Sequence, residues 1–379
     1  MAENLINKWE KVNFDSFFDV LPSKKYQVQR QDYLSNGDIP VVDQGQSLIA
    51  GYTNDKSKIF NHDKVIIFGD HTRVVKYVDF KFAVGADGTK ILGVKQNINL
   101  KFAYYQLLNK KIPDTGYNRH FKYVKAGYYY IPPTLEEQQE IVDVLDAASE
   151  IIRLRSACIE SAQSLIPTLF LEMFGDMSKN INNYELFKIK NLGKVTTGST
   201  PSSKKENMFG GTIPFITPAD LESGQDEYGR YVTQEGAQNS RIVRAGSSLV
   251  CCIGATIGKV DKAIVDSCFN QQINAIEWNE GINDIFGLYL FRQIAPLIRN
   301  KASHTTLPIL NKGNFENIII PKPPKPKQDL FAEKAQEIEA YIKSQQAELD
   351  NAKAMFQSLL HHSFTGELTH HKFGGDANG

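Results

Sequence analysis

Hydrophobic positions along the chain follow two alternating regimes. In the first, short runs of β-branched and aromatic residues are punctuated by Gly, Pro and turn pairs such as Asp87-Gly88, as at Val65-Ile-Ile-Phe68 and Leu249-Val-Cys-Cys-Ile253. Runs of this kind predict short strands. In the second regime apolar residues recur in steps of three and four. Ile141, Leu145, Ala148, Ile152, Ile159, Ala162, Ile166, Leu169 and Met173 form one series, with a single polar intruder at Arg155. Phe331, Ala335, Ile338, Ile342, Leu349, Ala352, Phe356 and Leu359 form another, with its intruder at Gln345. A repeat of about 3.5 residues held over several heptads predicts a coiled-coil seam. Arg155 lies as far beyond Ile141 as Gln345 lies beyond Phe331, so both intruders take the same heptad position. A polar residue inside such a seam commonly fixes register at some cost in stability. The competing reading lays each helix on the core of its own domain.

The limits of the first long helix are written locally. Thr134 and Glu137 make a capping box behind Pro132-Pro133, and Gly175 suits the far end. Pro167 is expected to kink or interrupt the last turns, because it removes one backbone donor.

The chain also reads as a duplication. Val65-Ile-Ile-Phe68 leads into Gly69-Asp-His-Thr72, as Leu249-Val-Cys-Cys-Ile253 leads into Gly254-Ala-Thr256. Leu100 to Leu108 answers Ile285 to Phe291, and Tyr130-Ile-Pro-Pro133 with Gln138-Gln139 answers Ile319 to Pro324 with Gln328. Gln163-Ser-Leu165 answers Gln357-Ser-Leu359. The order is globular block, long helix, globular block, long helix. The first helix delivers the chain to the second block and the second helix leaves from it, so two such helices that pack together must be antiparallel. At about 1.5 Å per residue each seam spans on the order of 45 Å. The expected fold class is therefore α+β: strand-rich domains at residues 1–133 and 177–327, held apart by spacer helices at 134–176 and 328–368 and related by a pseudo-two-fold. A tail, 369–379, fits no part of this scheme.

Composition narrows the function. The 379 residues exceed one ordinary core, and 41% hydrophobic with 11% aromatic content excludes a disordered chain. The net charge of zero is a cancellation: +6 over residues 1–133, −7 over 134–176, +5 over 177–327 and −4 over 328–379. Basic blocks can meet phosphate, and acidic helices between them suit protein contacts. Cys158, Cys251, Cys252 and Cys268 form no CxxC pair and no metal-ligand spacing, which predicts reduced thiols in a cytoplasmic protein. The start, Met1 to Phe18, has no apolar signal core, and no run approaches the ~18 apolar residues of a membrane span.

Two basic modules at a fixed separation suit duplex DNA, whose equivalent faces recur about every 34–36 Å. The candidate readers are loops that mix hydrogen-bonding and flat side chains. Tyr117, Asn118, Arg119 and His120 offer Arg for guanine, Asn for adenine, and rings for stacking or phosphate. Asp70, His71, Thr72 and Arg73 make a second loop in the same block. In the other block Thr200, Ser202, Ser203, Lys204 and Lys205 lie in a polar, basic tract, and Gln271, Gln272, His304 and Thr305 add amide, imidazole and hydroxyl groups. Each loop taken singly reads as an ordinary surface turn; recurrence in both halves favours binding.

The parts of a catalyst are missing. Ile131-Pro-Pro-Thr134 and Lys322-Pro-Pro-Lys325 lack the amide or acid that grips a flipped base in amino-methyltransferases. Gly254 to Lys259 resembles a phosphate loop but is too short and has no following Ser or Thr. His361-His362 and His370-His371 have no ligand partners at metal spacing.

As an ensemble these segments resemble the specificity subunit of type I restriction–modification systems, over nearly the whole chain. The resemblance rests on Gln138-Gln-Glu-Ile141 opening a helix that closes with Gln163 to Phe170 and Glu172-Met-Phe-Gly-Asp176. It continues in Thr197-Gly-Ser-Thr-Pro201, Ile213 to Pro218, Phe269-Asn-Gln-Gln-Ile-Asn274, Ser358-Leu-Leu360 and Phe364-Thr-Gly-Glu-Leu368. It implies a non-catalytic subunit with two target recognition domains that each read half of a split double-stranded DNA sequence. It implies two modification (methyltransferase) subunits as partners, which would carry the S-adenosylmethionine, with no cofactor in this chain, and restriction subunits joining them. The seam residues Ile141, Leu145, Ile152, Arg155, Ile159, Ile166, Ile338, Ile342, Gln345, Leu349 and Phe356 become the partner and coiled-coil interface. Two other readings compete: a coiled-coil scaffold joining two protein-binding modules, and a repressor that binds DNA alone.

Overall fold

The computed structural model describes residues 9–86, 88–222, 228–303 and 308–365. Asp87, His304, Thr305, the end of the Phe364–Leu368 motif, the His370-His371 pair and the tail lie outside the described residues. The chain divides into two compact units, the first formed by Met1–Ser156 with Ala347–Gly379 and the second by Ala157–Gln346. It is α+β. Among the described residues no helix is long and apolar enough to cross a membrane.

In the first unit the chain runs β1 (Glu10–Val12), α1 (Phe14–Phe17), β2 (Phe18–Leu21), β3 (Gln27–Val28), β4 (Ile39–Val42), β5 (Gly51–Thr53), β6 (Val65–Gly69), β7 (Val75–Val78), β8 (Ala83–Gly85), β9 (Thr89–Val94), α2 (Leu100–Asn109), α3 (Phe121–Lys125) and β10 (Tyr129–Ile131) into the long helix α4 (Leu135–Phe174). Its sheets have the orders β2-β9-β6-β7 and β3-β8-β4-β5, with β1 paired to β10. The second unit runs β11 (Glu185–Lys188), α5 (Ile189–Leu192), β12 (Gly193–Thr197), β13 (Phe209–Ile216), β14 (Tyr231–Val232), α6 (Gln234–Gln238), β15 (Ile242–Val243), β16 (Ser248–Cys251), β17 (Val260–Lys262), β18 (Ser267–Phe269), β19 (Ile273–Trp278), α7 (Asp284–Asn300), α8 (Lys312–Glu316) and β20 (Ile319–Lys322) into the long helix α9 (Lys325–Thr365). Its sheets, β12-β19-β16-β17 and the β11–β20 pair, repeat those of the first unit strand for strand. The remaining sheet, β14-β13-β18-β15, departs at one slot. Beside β8 the first unit places β3, which precedes β4 and runs parallel; beside β18 the second places β15, which follows β13 and runs antiparallel.

Each long helix gives one half to each unit. In the first unit Ile141, Leu145 and Ala148 of α4 share a core with Phe356 and Leu360 of α9. Arg155 meets the Glu348 carboxylate. In the second, Ile166, Phe170 and Phe174 pack with Phe331 and Ala335, and Cys158 Sγ lies 3.2 Å from Tyr341 Oη. Rising numbers on α4 meet falling numbers on α9 in both units, so the segments run antiparallel. Of the seam residues, Ile159, Leu349 and the cluster members just named are buried, while Ile152, Ile338, Ile342, Arg155 and Gln345 are half-buried.

Pro167 does not interrupt α4, contrary to the expectation from sequence. One lost backbone hydrogen bond and the ring's clash cost about 3 kcal/mol. On the next turns Phe170 and Phe174 are fully buried against Phe286 and Phe331, each contributing roughly 1.5–3 kcal/mol. Packing wins. Gly175 then ends the helix with a left-handed φ of 71°, and Thr134 Oγ1 accepts from Glu137 N at 3.2 Å at its start.

A buried glutamine ties each globular block to its helix. Gln138 Oε1 accepts from Asn99 N at 2.7 Å and its amide donates to Asn97 O at 3.2 Å. Gln328 does the same with Asn283 N at 2.9 Å and Gly281 O at 3.2 Å. Asn99 and Asn283 in turn cap α2 and α7. A tyrosine adds a second tie: Tyr105 donates to Asp146 at 2.5 Å and Tyr289 to Glu339 at 3.1 Å. Replacing either glutamine with leucine strands a buried donor and a buried acceptor. Gln138→Leu and Gln328→Leu should each lower unfolding free energy by about 1–3 kcal/mol, whereas Gln139→Ala, on the exposed face, should change it by less than about 0.5 kcal/mol. Chemical denaturation of the three variants checks this.

Candidate nucleic-acid interface

In the first unit the two loops singled out on sequence come together at the end of β6. Asp70 is the hinge between them. Its Oδ1 accepts from Phe121 N at 2.8 Å and its carbonyl accepts from His120 N at 2.7 Å, which starts α3. The His120 ring is fully buried, with its nitrogens 3.1 Å from Asp70 O and 3.2 Å from Thr115 Oγ1. Asp70 and His120, grouped with the readers on sequence, thus face inward and hold the loops to each other. Arg73, in left-handed backbone at φ 62°, donates to Asp114 at 2.6 Å. The Gly116 backbone N–H and then Arg73 hold the Asp114 carboxyl below the usual carboxylate range.

The outward groups are His71, Tyr117, Asn118 and Arg119. The rings of His71 and Tyr117 stack with centroids 4.6 Å apart and planes 10° off parallel. Tyr117 is 86% exposed. Asn118 Nδ2 donates to Thr115 O, closing a turn, and the Asn118 backbone carbonyl lies 3.2 Å from His71 Nδ1. Arg119 is exposed, and among the described residues no carboxylate lies within ion-pair distance of it. A flat stacked pair beside a free guanidinium and an amide can stack on a base or grip base edges and phosphates.

A third loop, missed on sequence, braces the one that holds His71 and Thr72. Gln44 Oε1 accepts from His71 N at 3.0 Å, and its carbonyl accepts from Thr72 Oγ1 at 2.5 Å. Beneath it Lys76 is buried and donates to Asp43 O at 2.8 Å and Ser47 O at 2.6 Å. Burial lowers the Lys76 pKa, with Asp43 opposing. The turn signal was present in Asp43-Gln-Gly45, where Asp43 Oδ1 accepts from Gly45 N at 2.7 Å. Lys76, by contrast, sits at an inward position of a strand where a lysine reads as surface.

In the second unit Gly198 brings the polar tract onto the end of β18. A Cβ there would lie 2.2 Å from Asn270 O, so only glycine permits the approach. Ser199 N then donates to Phe269 O at 3.0 Å, and Thr200 Oγ1 donates to Gln271 Oε1 at 2.6 Å. Asn270 Nδ2 donates to Gln272 Oε1 at 3.0 Å, which leaves Gln272 half-buried and Gln271 exposed. Ser202, Ser203, Lys204 and Lys205 are all exposed. The stretch holding His304 and Thr305 is flanked by a Ser303 N to Ile309 O bond of 3.1 Å, and Pro308 O accepts from Gly254 N at 3.0 Å. The segment after α7 therefore meets the segment after β16, as the segment after α2 meets the segment after β6. Among the described residues no group of His, Cys, Asp and Glu is placed to hold a metal ion.

Fold and loops define a tandem chain of two like modules, with polar loops gathered at the end of β6 in the first and against the end of β18 in the second. The family model for the type I restriction modification DNA specificity domain matches residues 6–162 and 181–353, one stretch in each half. The chain belongs to this family of type I restriction–modification specificity subunits. It is 28% identical over 288 residues to the type I restriction enzyme EcoR124I/EcoR124II specificity subunit of Escherichia coli, covering 68% of each chain. It is 30% identical over 165 residues to the MjaIX specificity subunit of Methanocaldococcus jannaschii, covering 41% of this chain and 38% of that one. Its fold is similar to the crystal structure of a type I restriction–modification S subunit from M. genitalium, with a TM-score of 0.60 over 94% of this chain and 96% of the other at 16% identity.

Holding and reading are separable by substitution. Asp70→Ala should lower unfolding free energy by about 1–3 kcal/mol, because the Phe121 N–H loses its acceptor. Arg119→Ala should leave it within about 0.5 kcal/mol of the parent. Denaturant titration of the two variants reads the difference.

Proposed function

We propose that this chain is the DNA-recognition subunit of a type I restriction–modification complex, that it reads a bipartite duplex target with one half assigned to each unit, and that it has no catalytic activity of its own. The observation that carries the reading is the doubled loop cluster: family-matched halves that each present polar and cationic side chains from loops at strand ends. In the first unit the DNA-contacting groups are His71, Tyr117, Asn118 and Arg119, with Arg73 setting the loop. In the second they are Thr200, Gln271, Ser202, Ser203, Lys204 and Lys205, with His304 and Thr305 assigned from sequence. Phosphate neutralisation supplies much of the affinity, so binding falls as salt rises.

The chemistry belongs to partners. Two methyltransferase subunits bring S-adenosylmethionine, this chain holds no cofactor, and restriction subunits join the modification complex. The long helices α4 and α9 form the partner surface and set the number of base pairs between half-sites. The complex acts in the cytoplasm, where its DNA lies. What supports the spacer role is that both seams are antiparallel and each helix contributes to both units.

Because the helices are antiparallel, lengthening one alone would break the seam, so the test lengthens both. One heptad inserted after Ser156 and one after Gln346 adds about 10 Å of helix, on the order of three base pairs of duplex. Co-expression with the neighbouring methyltransferase gene and base-modification sequencing reads the result. The gap should lengthen while both half-sites stay the same. A changed half-site with a fixed gap would refute the spacer role, and modification at no defined sequence would refute the reading itself.

A further inference from the structure

Beyond the reader loops, the first unit carries lysines for which the second has no equivalent. Lys90 on β9 and Lys125 on α3 converge on one ring: their ammonium groups lie 5.8 Å and 5.6 Å from the Phe121 centroid. Lys125 is also 5.6 Å from the Phe14 centroid, and Lys122 lies 5.0 Å from that of Tyr123. Phe121 is itself fixed, packed edge-on against Phe14 at 5.6 Å and tilted on Phe68 at 6.0 Å. Ring contacts hold the ammonium groups in place without neutralising them.

Three other cations of this unit are paired, Arg73 with Asp114, Lys95 with Asp19 and Lys101 with Asp146, whereas among the described residues Arg119 is not. Among the described residues no carboxylate lies within ion-pair distance of Lys90, Lys122 or Lys125. These charges also stand next to the reading site in a defined way. Phe121 follows Arg119 and His120 directly, and Asp70 fixes the start of α3 through Phe121 N at 2.8 Å. A ligand held by the lysines is thereby held in register with the reader loops.

The second unit lacks the feature. The second residue of β19, matching Lys90 in β9, is Asn274, buried and accepting from Thr197 Oγ1 at 2.6 Å. In α8, matching α3, the lysine is Lys312, and it pairs with Glu316 at 3.4 Å.

We infer that Lys90, Lys122 and Lys125 form a phosphodiester-gripping ridge on the first unit, which binds the DNA backbone independently of sequence and positions the adjoining reader loops. The two halves of the protein are therefore unequal: the first is anchored electrostatically at this ridge, and the second is not anchored at the corresponding place. The inference rests on the DNA-reading function and adds to it which charges supply backbone contacts. Backbone contacts set register, and base contacts set sequence.

The test uses the full chain assembled with its methyltransferase subunit and a random-sequence duplex, with binding measured across a salt series. Each phosphate contact contributes a slope of about −0.9 to log Kobs against log salt. For K90Q/K125Q the slope should therefore fall by about two in magnitude, with the melting transition unmoved. K90R/K125R keeps both charges and should keep the parental slope, and K312Q should leave it unchanged. A parental slope in K90Q/K125Q would overturn the ridge while leaving DNA reading intact. Absence of any salt-dependent duplex binding by the parent would take down the functional reading and the ridge with it.

Discussion

A glutamine amide buried at the root of each long helix is the constraint on which the rest of the architecture depends. Gln138 and Gln328 each take a backbone N–H and a backbone carbonyl from the segment just before a domain helix. A buried amide of this kind tolerates no slippage, because a shift of one residue would leave four polar groups unpaired. The orientation of each globular block on its own helix is therefore set by hydrogen-bond geometry, with Phe102, Phe286 and Phe331 fully buried in the cores beside these ties. The tyrosine–carboxylate ties at Asp146 and Glu339 repeat the arrangement two to three turns along. Duplication has preserved these ties while the loops have diverged.

Conservation of the frame and divergence of the tips follow the same physics. Core strands β6 and β16 are buried on both faces and cannot change without cost. The outer slot beside β8 or β18 is filled by a two-residue strand, so one unit can use a segment from before its partner strand and the other a segment from after it. Loops at the sheet ends carry no such burden. In one unit they are tied by Asp70 and His120, in the other by Gly198 and Thr200, and the side chains left outside differ accordingly.

Much of this was legible in the sequence, for identifiable reasons. The seams appear because a 3.5-residue period needs only apolar spacing, and Arg155 and Gln345 stand out as breaks in it. Antiparallel packing follows from chain order alone. The repeat was visible in Gln138 and Gln328 although their hydrogen bonds were not. Burial of polar loop residues was illegible: nothing local distinguishes Asp70 and His120, which close the loops, from His71 and Arg119, which face outward. Lys76 was hidden because its ammonium is satisfied by the carbonyls of Asp43 and Ser47, more than twenty-five residues away in sequence. Pro167 misled in the other direction, since its local penalty is outweighed by aromatic residues recruited from α7 and α9.

Unit-by-unit reading of a split target is the central claim, and exchanging one unit tests it most directly. Residues 9–131 would be replaced by the corresponding segment of the Escherichia coli relative, with both long helices and the second unit kept as they are. Base-modification sequencing of a host carrying the hybrid with its methyltransferase partner then compares motifs. The account predicts one new half-site beside one unchanged half-site at the original separation. A hybrid that alters both halves, or modifies the original sequence unchanged, would contradict it.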